Sequence, residues 1–201
     1  MHEAIRHLRT CDPVLCGIIE RIGDYTMEFR DPSFETLVRS IVFQQLSGKV
    51  ARVIFNRLSA AVPGGRLTPE GILKLRPARM RSLGLSKQKV TYIRDLARQT
   101  RDRKLIFENL GDLSDDAVVE HLTAVKGIGV WTAHMFLIFA LRRTNVLPTG
   151  DLGIRSAIRK AYDLKELPKP SEVEAVAERW RPYRAVASWY LWRSLDNPDG
   201  T

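Results

Sequence analysis

Three short stretches carry residue types whose spacing could support chemistry. Asp151 immediately precedes "LGIRSAIRKAY", in which Ile154, Ala157 and Ile158 mark one face of a helix. A carboxylate there would meet the positive end of a helix dipole, which keeps it ionised. Aspartate is also a favoured N-cap, so the position alone does not establish catalysis. Upstream, "VKGIGVWTAHM" sets Gly127 and Gly129 around Ile128, just ahead of an apolar helix. Glycine tolerates positive φ and lacks Cβ, which lets another backbone come close. The Gly127 and Gly129 amides, with those opening the next helix, could seat a phosphate. The local alternative is a tight corner between two helices with glycine as C-cap. The third stretch, "FQQLSGKVA", places Gln44, Gln45 and Leu46 between two helical segments.

The elements that must hold these groups are helical. "SFETLVRSIVFQQL" puts Phe34, Leu37, Val38, Ile41 and Val42 on one stripe, with Ser33 as its cap. Val50, Val53, Ile54 and Leu58 repeat the pattern. Thr68-Pro69-Glu70 reads as N-cap, first-turn proline and first-turn acid. Ser86 and Ser114 cap two further helices, and Ser171 with Glu174 spells a capping box. Pro182 opens "YRAVASWYLWRSL". No stretch alternates with period two between hairpin turns. The expectation is an all-α protein of roughly nine or ten short helices. "AVPGGRLTPE" is the loosest internal loop, and "NPDGT" reads as a frayed end.

Composition narrows the function classes. With 201 residues the chain is long enough to bury a core, and its 44% hydrophobic content suits a soluble globular protein. No apolar run reaches membrane-spanning length, and the N-terminus lacks a secretory signal pattern, so an intracellular protein is expected. Cys11 and Cys16 are too few and wrongly spaced for a common zinc or iron–sulfur site, and are expected reduced. His2, His7, His121 and His134 are scattered. A net charge of +9 makes a polyanion partner plausible, nucleic acid before anionic membrane.

"LTAVKGIGVWTAHMFLIFA" resembles the helix-hairpin-helix of the HhH-GPD DNA glycosylase superfamily, which includes endonuclease III. "LPTGDLGIRSAIRK" looks like that superfamily's loop bearing a catalytic aspartate, which aligns to Asp151. The resemblance covers roughly Phe34 to Trp192 and is best to 3-methyladenine DNA glycosylase II, the AlkA type. Lyase-competent members carry a nucleophilic lysine where Trp131 stands here, and without that amine no Schiff base forms at this position. The four-cysteine cluster of the endonuclease III branch is also missing. "ERWRPYRAVASWYLW" resembles the AlkA C-terminal helix, whose last tryptophan, here Trp192, lines the base pocket. Two departures are Lys126, where many relatives have proline, and Met135, where AlkA has a pocket tyrosine.

The resemblance implies a two-lobed helix-hairpin-helix glycosylase fold with the base pocket in the cleft between lobes. One lobe would span 34–141; residues 1–33 and 142–201 would form the other, carrying Asp151. The activity implied is monofunctional hydrolysis of the N-glycosidic bond of 3-methyladenine or 7-methylguanine in double-stranded DNA. Asp151 would stabilise an oxocarbenium-like cation and orient or deprotonate water. Trp131, Trp192 and Met135 would line the pocket around an extruded base. Gln45-Leu46 matches the AlkA loop whose leucine intercalates. Leu46 could instead close its helix against the core, with Gln44 or Gln45 contacting the widowed base. Gly127, Gly129, Lys126 and Thr132 would meet the DNA backbone. No cofactor is required, although Na+ or K+ at the carbonyls of Thr123, Val125 and Ile128 is implied. Lys49, Lys87, Lys89 and Arg155 are candidate phosphate contacts or solvated charges. Trp180 and Trp189 are assigned to the core. The expected protein is a monomer without membrane contact, in cytoplasm and nucleoid, or in a nucleus. Rival readings are a bifunctional glycosylase/lyase for oxidised bases and a non-catalytic helix-hairpin-helix module.

Overall fold

The computed structural model describes residues 1–196, so the expected frayed end, Asn197 to Thr201, lies outside the described residues. All regular structure among them is helical, in keeping with the all-α expectation. In chain order the helices are α1 (His2–Cys11), α2 (Pro13–Ile22), α3 (Phe34–Phe43), α4 (Gly48–Ala61), α5 (Pro69–Lys74) and α6 (Pro77–Ser82). They continue as α7 (Lys87–Arg101), α8 (Asp115–Thr123), α9 (Val130–Phe139), α10 (Leu152–Ala161), α11 (Pro170–Ala177) and α12 (Arg184–Asp196). These twelve exceed the expected count; α6, for one, is six residues and too short to display a period.

Most caps lie where the sequence puts them. Hydroxyl oxygens of Ser33, Thr68, Ser86 and Ser114 accept from the backbone N–H three residues on. The capping box at Ser171 and Glu174 is a correction. Pro170 takes the first helical position, so the cap is Lys169, whose N–H donates to Glu172 Oε2 at 2.5 Å. Glu174, released from the cap, pairs with Arg184 and Arg181.

The chain divides into two compact units, Arg30–Leu141 and Met1–Phe29 joined by the chain from Arg142 onward. The first boundary falls four residues before the expected Phe34, because Arg30 N–H donates to Phe139 O at 2.9 Å. In the Arg30–Leu141 unit α7 is central, packing against α3 and α5 through Val90, Ile93, Leu96 and Ala97. α8 packs on α9, and α4 on α3.

The other unit packs α12 against α2 and α10, burying Trp180, Trp189 and Tyr190 as core. Its polar centre is Asp12, wholly buried. Asp12 Oδ1 caps α2 by accepting from the N–H groups of Val14 and Leu15 at 3.0 and 3.2 Å. Oδ2 accepts from Trp180 Nε1–H at 2.8 Å and from the Tyr162 hydroxyl. Burial first, and then the Asp12 carboxylate, push the Tyr162 phenol well above its ordinary range. No described helix is long and apolar enough to cross a membrane.

Candidate active site

Asp151 caps α10, its Oδ1 accepting from Ile154 N–H at 2.8 Å. The same oxygen accepts from Trp192 Nε1–H of α12 at 2.9 Å. Trp192 thus orients the carboxylate, a role its ring chemistry alone did not suggest. The pair sits tightly against Gly153. A Cβ there would lie 2.9 Å from Asp151 Oδ1 and 3.1 Å from the Trp192 ring. Gly153→Ala should therefore displace the carboxylate from the indole, slowing base release at saturating substrate with little change in KM. Trp192 fluorescence should change as well; a parental turnover and emission would show that the close approach is incidental.

Trp131, Met135, Thr132, Gln44 and Gln45 line one cavity of ≈ 460 Å³ in the Arg30–Leu141 unit, together with Arg30, Arg39, Ser40 and Phe43. Trp131 is 50% exposed, whereas Thr132 is buried, as expected for a wall rather than a backbone contact. Sequence reading missed Arg30 and Arg39. The Arg39 guanidinium lies 4.0 Å from the Phe43 ring centroid, and burial, with Arg30 and Arg52 nearby, lowers its pKa. Only the folded chain reveals this: α3 periodicity marks Arg39 as polar and says nothing of what it faces.

The hairpin between α8 and α9 gives its two glycines different reasons. Gly127 has φ +82°, and an added Cβ would fall inside the Tyr92 ring. Gly129 caps α9 at φ −96° with nothing within 4 Å of a built Cβ. Fold packing therefore requires glycine at 127 and leaves the face at 129 open. Lys126 N–H donates to Asp95 Oδ2 at 3.0 Å while its residue stays exposed. The Val125 carbonyl accepts from Ile128 N–H at 3.1 Å and retains a second lone pair.

The turn after α3 is tied to this hairpin. Gln44 Nε2–H donates to Gly127 O at 2.9 Å, and Gln45 adopts φ +55°. Leu46 is 38% exposed, so it is not a fully buried core residue. Lys89 is corrected from phosphate contact to brace: its ammonium donates to Val42 O and Gln44 O at 2.8 and 2.6 Å. Arg155 is likewise engaged, donating to Pro168 O at 2.7 Å.

DNA-3-methyladenine glycosylase 1 of Schizosaccharomyces pombe is 35% identical, over 97% of this chain and 88% of that protein. The structure of a Schizosaccharomyces pombe 3-methyladenine DNA glycosylase in complex with abasic DNA superposes with TM-score 0.88, covering 99% of each chain at 35% identity. A DNA-3-methyladenine glycosidase from Bacillus halodurans gives TM-score 0.85 at 35% identity, over 95% of this chain and 88% of that one. Residues 38–182, which hold the hairpin, the turn's glutamines and Asp151, match the model of one family. The chain belongs to the HhH-GPD superfamily of base excision DNA repair proteins.

Proposed function

We infer that this protein is a monofunctional DNA glycosylase that hydrolyses the N-glycosidic bond of alkylated purines, 3-methyladenine and 7-methylguanine among them, in double-stranded DNA. The observation that carries the reading is the Asp151 carboxylate, held by Ile154 N–H and Trp192 Nε1–H at the head of α10. A purine alkylated at N3 or N7 is cationic and leaves readily. The bond electrons pass to the base, which departs neutral, and positive charge develops at the sugar C1′. Asp151 stabilises that charge and takes a proton from the water whose oxygen bonds to C1′. The single carboxylate suffices because the base needs no strong general acid.

The pocket walled by Trp131, Met135 and Phe43 takes the extruded base. Stacking on Trp131 favours a cationic ring by about 0.5–2 kcal/mol. Arg30 and Arg39 oppose it, raising the energy of the bound cation more than that of the departing neutral base. That difference speeds departure rather than binding. No lysine lines this pocket, which supports hydrolysis over Schiff-base lyase chemistry. Leu46 serves as wedge, its exposure at a loop tip suiting it to fill a vacated stack.

Gly129 and the opening turn of α9 face a DNA phosphate, with Na+ or K+ held by the carbonyls of Thr123, Val125 and Ile128. The enzyme acts as a monomer, on DNA wherever the cell keeps it. Gly129→Val should weaken binding to damaged and undamaged duplex alike and cost less thermal stability than Gly127→Val, since no atom lies within 4 Å of the new Cβ. Gly127→Val, driven into Tyr92, should lower stability too. Parental affinity of Gly129→Val at low salt would reduce the hairpin to a corner. The activity itself is tested by base release from duplexes bearing methylated, deaminated or oxidised bases. Free 3-methyladenine without strand nicking or borohydride trapping is expected; trapping would establish a lyase instead, and no release from any duplex would overturn the reading.

A further inference from the structure

We propose that the groove between α6 and α7 is a second contact for the phosphate backbone of duplex DNA, separate from the hairpin. Between Arg76 and Lys104 stand ten Lys and Arg against two Asp, a net +8 in a chain whose formal charge is +9. The basicity of this protein is thus the property of one segment. Helical spacing puts Lys87, Thr91, Arg94 and Arg98 on one face of α7. Pro77 and Arg81 close the other side, and with Val90 these residues enclose a groove of ≈ 260 Å³ without a lining carboxylate.

The cations differ in their commitments. Arg94 is spent on the fold, its guanidinium donating to Leu75 O and Leu73 O at 2.7 and 3.4 Å. Arg81, Lys87 and Arg98 are exposed. Asp102, at the end of α7, pairs with Arg101 at 2.8 Å, and that bond first, with Arg98 as a lesser influence, holds its carboxyl below the ordinary range. Like charges gathered along one groove repel each other, and a polyanion relieves that repulsion. Val90 and Pro77 are the groove's apolar surfaces, too few for the buried aromatic or aliphatic anchors of a protein partner.

Geometry separates this contact from the hairpin. The hairpin leans on α7 through Tyr92, Asp95 and Gln99. Each follows a groove residue directly, which places it about 100° around the helix. The hairpin contacts and the groove thus occupy different faces of α7. The groove takes backbone further along the same duplex, or a second duplex.

This contact rests on DNA being the partner, yet it is read from binding to undamaged duplex, so its failure and a failure of base release are told apart. The test is the triple variant Arg81→Gln, Lys87→Gln, Arg98→Gln, all three at exposed positions. On a duplex of about three helical turns, the slope of log affinity against log salt should shrink by about 2–3, at roughly 0.9 per phosphate contact. Melting temperature and single-turnover base release at saturating protein should stay parental. A parental slope overturns the proposal. On a duplex of about one turn, a variant matching the parent assigns the groove to flanking DNA. Slope loss with two short duplexes per protein assigns it to a second molecule. Slope loss with one short duplex per protein makes the groove part of the lesion contact, and the separate site falls.

Discussion

Asp151→Asn is expected to stop base release almost completely, by about 10²–10⁴-fold in single turnover, while leaving DNA binding and melting temperature near parental values. The amide keeps an oxygen for the N–H groups of Ile154 and Trp192, and asparagine caps helices as well as aspartate does. What disappears is one negative charge. Without it the sugar cation loses its stabilising partner, and the attacking water loses its proton acceptor. A rate defect with intact affinity therefore separates chemistry from recognition. Release of 3-methyladenine at the parental rate would remove Asp151 from catalysis and favour the non-catalytic reading of the hairpin.

Asp12→Asn should cost about 1–3 kcal/mol of folding stability, the range for leaving a buried donor without its acceptor. That is an appreciable share of the roughly 5–15 kcal/mol that separates folded from unfolded domains. Substituting one oxygen by NH₂ sets a donor against Trp180 Nε1–H, which has no acceptor to offer in return. The Tyr162 hydroxyl can rotate; the indole cannot. Asp12→Ala should be at least as severe, because α2 also loses its cap. Urea midpoints measure the effect, and an Asn variant with the parental midpoint would show that this carboxylate is not needed to hold α2, Tyr162 and Trp180 together.

What could be read in advance was what the chain decides locally. Ser33, Thr68, Ser86, Ser114 and Asp151 each bind an N–H three residues away, so their roles are written within one helical turn. Ser171 misled for the same local reason, since Pro170 claims the helix start one residue earlier. The misread or overlooked residues act across long separations. Asp12 meets Tyr162 and Trp180 from the far end of the chain, and Lys89 reaches back to Val42 and Gln44. An exposed lysine and a bracing lysine look alike in sequence. Gly153 stood unremarked inside a helix because the atoms it makes room for belong to Asp151 and to α12. The charges lining the Trp131 cavity were likewise hidden, with Arg30 and Arg39 brought beside Trp131 only by folding.

The bracing of Gln44 has a kinetic consequence. Its carbonyl is held by Lys89, its side-chain amide by Gly127 O, and Gln45 is already in a left-handed conformation. The turn that presents Leu46 is therefore built before any partner arrives, and its conformational entropy is surrendered during folding instead of at encounter. On the proposed wedge role for Leu46, such a turn would sample each site without first rearranging, and its dwell time would be set by how readily the duplex opens.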